Sequence, residues 1–121
     1  MSLAVVEKLR THVSVIRLNR PERLNAMSFE LITELCEAFD QVAADNDCWV
    51  VVLTGEGRGF CSGLDLEDPG VIPGIEDMAL SRVGMLAMSH FSKVVPRMRD
   101  VPQPIIAAIN GCAFGGGLCL S

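Results

Sequence analysis

Two apolar runs that each end in a glycine-rich turn indicate the fold: WVVVLTGEGRGFCSGLDL at residues 49–66 and IIAAINGCAFGGG at residues 105–117. A buried strand that ends in glycines and opens a helix leaves unpaired backbone N–H groups pointing at one spot. Two such turns lying side by side would supply two N–H donors to one oxygen. The sequence therefore predicts a site that stabilises negative charge on a carbonyl oxygen.

The patterns around these runs predict an α/β fold with parallel-type strands and flanking helices. Strands are expected at Val13–Asn19, Trp49–Thr54 and Ile105–Asn110, and the second has no polar alternation, as in a strand covered on both faces. Ser28 is a good N-cap for an amphipathic helix whose apolar positions recur at helical spacing as far as Ala43. A strand, a helix and a strand in this order form a βαβ unit.

A second helical stretch is predicted from Glu76 to Arg99, where apolar residues again recur at helical spacing. Pro96 is expected to kink or shorten this helix, because proline cannot donate the hydrogen bond of a helix interior. A further helix should follow Gly117.

The composition bounds the size of the domain and the kinds of partner. The chain has 121 residues, half of them hydrophobic, and a formal net charge of −5. So apolar a chain is expected to bury surface against more of itself or against other subunits. No basic run points to nucleic acid, and no apolar stretch reaches the roughly 18 residues of a membrane span. The N-terminus does not resemble a secretion signal.

The cysteines argue against a disulfide framework and against a zinc site. Their number is odd and no C-x-x-C motif occurs. Free thiols in a reducing, cytoplasmic compartment are the simpler interpretation. The five residues are Cys36, Cys48, Cys61, Cys112 and Cys119.

Four blocks of sequence resemble the crotonase superfamily, the enoyl-CoA hydratases and isomerases. They are LNRPERLNAM at residues 18–27, VVLTG at 51–55, FCSGLDL at 60–66, and PIIAAING at 104–111 followed by the triple glycine at 115–117. The resemblance implies a crotonase-like spiral of ββα units that assembles as a homotrimer or as a hexamer of two trimers. The family's domain is about twice as long, so residues 1–121 are expected to be the N-terminal part of one such domain.

The same resemblance implies an acyl-CoA-processing enzyme of fatty-acid or related acyl-CoA metabolism. The thioester carbonyl would accept hydrogen bonds from the backbone N–H groups of Leu64 and Gly116, which stabilise an enolate. No metal or redox cofactor is implied, because coenzyme A arrives as part of the substrate. By position, the resemblance assigns substrate contacts to Arg23, Leu24, Ala26, Ser62, Gly63, Asp65, Leu66, Gly115 and Cys119.

Two of these residues also have plain structural interpretations. Arg23 is suited to a CoA phosphate, because a guanidinium fork matches phosphate oxygens, but it also fits an ordinary surface loop. Asp65 is equally well explained as a solvated turn residue or a helix cap.

One position departs from the family pattern. Hydratases of this family carry two glutamates, and one of them lies two residues after the triple glycine, where this chain has Cys119. The second would lie beyond Ser121. Because water addition needs a general acid or base within reach of the reacting carbons, the cysteine argues against efficient hydration and leaves isomerisation or another acyl-CoA reaction open.

Two other functions fit some of the same residues. Gly59–Gly63 matches a G-x-C-x-G nucleophile elbow with Cys61 as the nucleophile, although His90 is the only downstream histidine and no acid is placed to orient it. Alternatively, the protein binds acyl-CoA or serves in assembly without catalysis, and Cys119 marks lost acid/base chemistry.

Overall fold

The computed structural model describes residues 2–68, 70 and 80–121. The strands and helices, in chain order, are β1 (Ala4–Arg10), β2 (Val13–Leu18), α1 (Phe29–Ala43), β3 (Val50–Gly55), β4 (Gly59–Cys61), α2 (Leu80–Ser92), α3 (Val94–Asp100), β5 (Ile105–Ala107), β6 (Cys112–Ala113) and α4 (Gly116–Leu120). A single 3₁₀ turn at Pro21–Arg23 precedes α1. Within the described ranges, no helix is both long and apolar enough to cross a membrane.

Two sheets organise the molecule. The larger has the strand order β1-β2-β3-β5. Strands β1 and β2 form an antiparallel hairpin, whereas β2, β3 and β5 run parallel. The smaller sheet pairs β4 with β6, also in parallel. The predicted α/β class with parallel strands is therefore confirmed.

Helix α1 covers the larger sheet and supplies much of the core. The hydroxyl of Ser28 accepts a hydrogen bond from the backbone N–H of Leu31 at 3.1 Å, so the predicted N-cap is present. Each large side chain that becomes fully buried stabilises the fold by about 1.5–3 kcal/mol. The buried face of the helix consists of Phe29, Leu31, Ile32, Leu35, Cys36, Ala38, Phe39 and Val42.

The sequence prediction missed three strands and extended one too far. Strands β1, β4 and β6 were not predicted. The strand predicted at Ile105–Asn110 ends at Ala107. One further main-chain bond follows, from the N–H of Ala108 to the carbonyl oxygen of Leu53 at 2.8 Å. The ladder then ends because the side chain of Asn110, rather than the main chain, accepts a hydrogen bond from the N–H of Gly55 at 3.2 Å.

The stretch predicted as one helix from Glu76 is two helices in its described part. Helix α2 ends at Ser92 and α3 begins at Val94, so the break falls at Lys93. Pro96 lies in the first turn of α3, where a missing N–H costs nothing because no acceptor lies within the helix. Residues 76–79 lie outside the described residues.

Candidate active site

The two glycine-rich turns lie side by side, which is the arrangement that a site with two N–H donors requires. Pairing of β4 with β6 brings them together, and the N–H of Phe114 donates to the carbonyl oxygen of Cys61 at 3.1 Å. A side-chain carbon built on Gly63 would lie 3.0 Å from the carbonyl oxygen of Phe114 and 3.7 Å from the backbone nitrogen of Gly116. With a φ of +99°, position 63 also requires a backbone conformation that favours glycine.

Hydrogen bonds on either side fix the direction of the Leu64 N–H. The carbonyl oxygen of Gly63 accepts from the N–H of Met27 at 2.7 Å, and the N–H of Asp65 donates to the carbonyl oxygen of Met27 at 3.0 Å. In a planar trans peptide the C=O and the N–H point in opposite directions. The Leu64 N–H therefore points away from Met27.

The same reasoning applies to Gly116, the first residue of α4. The preceding carbonyl, of Gly115, accepts from the N–H of Cys119 at 3.1 Å and so points along the helix. The N–H of Gly116 must then point out of the start of the helix. Among the described residues, neither this N–H nor that of Leu64 donates to a protein acceptor. Two unpaired donors on touching turns are what a charge-stabilising site requires.

A cleft of about 400 Å³ opens beside the first turn. Its walls contain seven of the residues that the sequence predicts for the site, together with three that it does not. The lining residues are Glu22, Arg23, Leu24, Ala26, Arg58, Ser62, Leu64, Asp65, Leu66 and Glu67. Gly63, Gly115 and Gly116 form the adjoining turns, and Leu66 is 89% exposed. Nowhere in the described ranges do three His, Cys, Asp or Glu side chains gather to hold a metal ion.

Asp65 links two loops, the one that contains Leu64 and the one that precedes α1. Its buried carboxylate contacts Arg20 Nη1 at 2.8 Å and Arg23 Nη2 at 2.7 Å. The backbone N–H groups of Glu67 and Asp68 donate to the same carboxylate at 3.0 and 2.9 Å. Its hydrogen bonds with Arg23 hold the pKa of Asp65 well below its usual range, although burial acts in the opposite direction. Asp65 is thus neither a solvated turn residue nor free to bind a ligand through its carboxylate.

The two arginines that line the cleft differ in their partners. Arg23 donates hydrogen bonds from both Nε and Nη2 to the carboxylate of Asp65, at 2.9 and 2.7 Å. Most of its guanidinium group is therefore already paired within the protein. Arg58 is exposed, and in the described part of the chain no acceptor or carboxylate engages its guanidinium. Arg58 is therefore the cation of this cleft that is available to an anion, a role for which the sequence suggested Arg23.

Cys119 does not line the same cleft. Its side chain is exposed and borders a separate hollow of about 350 Å³. The other residues around this hollow are Val95, Met98, Arg99, Gln103, Ile105, Ala107, Leu120 and Ser121. Of the residues predicted to contact substrate, Cys119 is the one that borders this other hollow.

The geometry does not favour a nucleophile at Cys61. Its side chain is fully buried, and burial raises the pKa of the thiol, whereas a nucleophilic cysteine needs a lowered pKa and access to substrate. His90 lies on α2, where its Nε2 is 2.9 Å from the carbonyl oxygen of Phe29 and 3.3 Å from Thr33 Oγ1. Its contacts are those of a structural histidine that packs α2 against α1.

Two asparagines hold the turn between β3 and β4, and no local pattern in the sequence indicates either role. Asn25, fully buried, donates to the carbonyl oxygens of Glu56 and Gly59 at 3.0 and 2.9 Å. Asn110 donates to the carbonyl oxygens of Gly57 and Gly59 at 2.8 and 3.2 Å. These side chains fix the path of the chain into β4 and hence the position of the first turn.

Comparison with known proteins gives consistent matches. The family model described as enoyl-CoA hydratase/isomerase matches residues 8–121. A probable enoyl-CoA hydratase of Mycobacterium tuberculosis is 46% identical over all of this chain and 42% of its own length. The 1,2-epoxyphenylacetyl-CoA isomerase of Escherichia coli is 37% identical over 97% of this chain and 44% of its own length.

Solved structures agree with these matches. A probable enoyl-CoA hydratase/isomerase from Mycobacterium abscessus superposes with a TM-score of 0.89 at 40% identity, over 98% of this chain and 43% of that one. This likeness confirms the fold class predicted from the sequence. The chain spans less than half the length of these relatives.

Proposed function

Because the chain belongs to the enoyl-CoA hydratase/isomerase family, we propose that it holds the thioester carbonyl of an acyl-CoA between the N–H groups of Leu64 and Gly116. The observation that carries this proposal is the pair of hydrogen bonds that turn both N–H groups outward, from Met27 to Gly63 and from Cys119 to Gly115. Both donors are fixed before substrate arrives, so little reorganisation opposes their action.

Such a site stabilises an enolate. When a proton leaves the carbon next to the thioester, negative charge develops on the carbonyl oxygen, and two fixed donors stabilise that charge more than they stabilise the neutral carbonyl. Each donor of this kind typically contributes about 3–4 kcal/mol to the transition state. Hydration and double-bond isomerisation of acyl-CoA both depend on stabilisation of this enolate.

The coenzyme A moiety is proposed to bind in the cleft beside the first turn. The proposed reaction requires no metal or redox cofactor. Arg58 offers its guanidinium to a phosphate group, since Arg23 is engaged by Asp65. The exposed Leu66 offers apolar contact at the rim. Arg58→Ala should weaken binding of free CoA, and more so at low than at high salt concentration, because a surface ion pair is screened.

For the reaction itself, hydratase/isomerase chemistry on an acyl-CoA is proposed. Cys119 occupies the position of one family glutamate, and it borders a separate hollow rather than this cleft. This departure also supports a second candidate, an acyl-CoA-binding protein without turnover. Assays of crotonyl-CoA hydration and 3-hexenoyl-CoA isomerisation separate the two, because binding without either reaction supports the second candidate.

Calorimetric titration with butyryl-CoA and with S-butyl-CoA, the thioether that lacks the carbonyl, tests the proposed site. Two hydrogen bonds of about 1 kcal/mol or less each correspond to roughly tenfold tighter binding of the thioester. We refer to this ratio of affinities as the thioester preference. Equal affinities for the two compounds would exclude the proposed role of Leu64 and Gly116.

We further propose assembly as a homotrimer or a hexamer in the cytoplasm. All five cysteines are free, which suits a reducing compartment. Large apolar side chains are exposed and available to subunit contacts. They include Trp49, Ile106, Ile109, Phe114 and Leu118. Light scattering of the purified protein should give three or six times the protomer mass, and a monomer would contradict the proposed assembly.

A further inference from the structure

Met27 is in contact with both of the turns that carry the proposed donors. Its main chain pairs with the first turn on both sides of Leu64, through the 2.7 Å bond to Gly63 and the 3.0 Å bond from Asp65. The residue as a whole is buried, with a relative exposure of 3%. Met27 lies directly before Ser28 and the start of α1, so both contacts are anchored to this helix.

The side chain of Met27 lies against the second turn. A side-chain carbon built on Gly116 would overlap Met27 Cε and lie 3.6 Å from Met27 Sδ. Apart from the neighbouring residues and the backbone of α4, no other atom of the described residues lies within 4 Å of that point. The terminal methyl group of Met27 thus fills the space in which any side chain at position 116 would stand. Methionine has a flexible, unbranched side chain, so it can fill the gap beside a residue that has no side chain of its own.

From these contacts we propose that Met27 is a positioning residue that sets the spacing between the two N–H donors. Its main chain orients the peptide that carries the Leu64 N–H, and its methyl group supports the backbone of Gly116. The inference rests on the proposed function, because spacing matters only if both donors reach one oxygen. Donors to such an oxygen act within about 2.7–3.1 Å, so a small displacement of either turn would weaken the site.

A double-mutant cycle tests the contact between Met27 and Gly116. Met27→Ala alone should lower the thermal midpoint by roughly 10 °C through the cavity it leaves. Gly116→Ala alone should also lower the midpoint, because the new methyl group displaces the methionine. In the Met27→Ala background the loss caused by Gly116→Ala should shrink to less than half, since the methionine atoms that the new methyl group would overlap are gone. An equal loss in both backgrounds would overturn the proposal.

The thioester preference tests the effect on the site. Met27→Ala should reduce it from about tenfold to less than about threefold, whereas Met27→Leu, which restores an apolar side chain of similar size, should retain most of it. Leu35→Ala is the matched control, because Leu35 is fully buried on α1 at a distance in sequence from both turns. It should lower the thermal midpoint to a similar extent and leave the thioester preference unchanged.

The outcomes separate the two proposals. A wild-type protein without any thioester preference would refute the proposed function and this inference with it. A wild-type preference that Met27→Ala leaves intact would overturn this inference alone. A preference that Leu35→Ala reduces as much as Met27→Ala does would also overturn it, because general loss of stability would then explain the effect.

Discussion

Replacing Asn25 by alanine should strongly destabilise the protein, because one buried side chain bonds to three backbone groups. Its Oδ1 accepts from the N–H of Arg20 at 2.8 Å, and its Nδ2 donates to the carbonyl oxygens of Glu56 and Gly59. After the change, Asn110 still donates to Gly59 at 3.2 Å. Water can reach the carbonyl of the exposed Glu56. The buried N–H of Arg20 is the group left without a partner.

The expected magnitude follows from two contributions. An unsatisfied buried N–H costs about 1–3 kcal/mol. Asn25 also has a φ of +56°, and alanine in this left-handed region adds about 1–2 kcal/mol. Asn25→Ala should therefore lower the free energy of unfolding by about 2–5 kcal/mol.

Urea unfolding followed by circular dichroism and by fluorescence of Trp49 measures this loss, and coincident transitions validate the two-state treatment. Asn25→Gly removes the same hydrogen bonds but tolerates the backbone, so it should be about 1 kcal/mol more stable than the alanine variant. The exposed Asn46 is the matched control, and Asn46→Ala should change stability by no more than about 0.5 kcal/mol. A loss below about 1 kcal/mol for Asn25→Ala would refute the reasoning.

Three further predictions concern the site. Hydrogen bonds from Arg23 keep the pKa of Asp65 below its unfolded value, so the stabilisation is complete above about pH 4 and is lost as pH falls through the folded pKa. In urea titrations between about pH 2 and pH 7, Asp65→Asn should therefore lose less stability on acidification than the wild type. Equal losses in the two proteins would contradict this. Gly116→Pro removes a donor and should abolish the thioester preference, whereas Leu64→Ala keeps its N–H and should retain it; a proline variant that stays folded and keeps the preference would count against the site. Iodoacetamide should spare the buried Cys61 in the native protein and modify it after unfolding in urea, as peptide mass mapping would show, and rapid native labelling with loss of acyl-CoA turnover would revive the nucleophile hypothesis.

The parts of the fold that local patterns specify could be predicted from the sequence. The cap at Ser28 and the apolar period behind it define α1, and the continuous apolar run after Trp49 defines β3. The expectation that both faces of this strand are covered is wrong, because buried and half-buried residues alternate along β3. The crotonase-like resemblance, carried by four short blocks, is confirmed by the family match. Strands β4 and β6 were missed because they have only three and two residues and exist through their pairing with each other.

The two glycine-rich turns could be identified from their shared pattern of apolar run and glycines. That pattern does not indicate the pairing of β4 with β6, which brings the turns together. The ion pair between Arg23 and Asp65 joins residues 42 positions apart, and no local signal in the sequence indicates it. For the same reason the sequence could not show that Arg23 is paired with a carboxylate and Arg58 is not, or that Cys119 borders a separate hollow.

Amide proton shifts of Leu64 and Gly116, followed by nuclear magnetic resonance during titration, test the central claim most directly. Addition of butyryl-CoA should move both amide protons downfield together, because each begins to donate to the thioester oxygen. S-butyl-CoA should bind the same cleft and leave both shifts close to those of the free protein. If neither amide responds to the thioester, or if the thioether produces the same shifts, the two N–H groups do not hold the carbonyl.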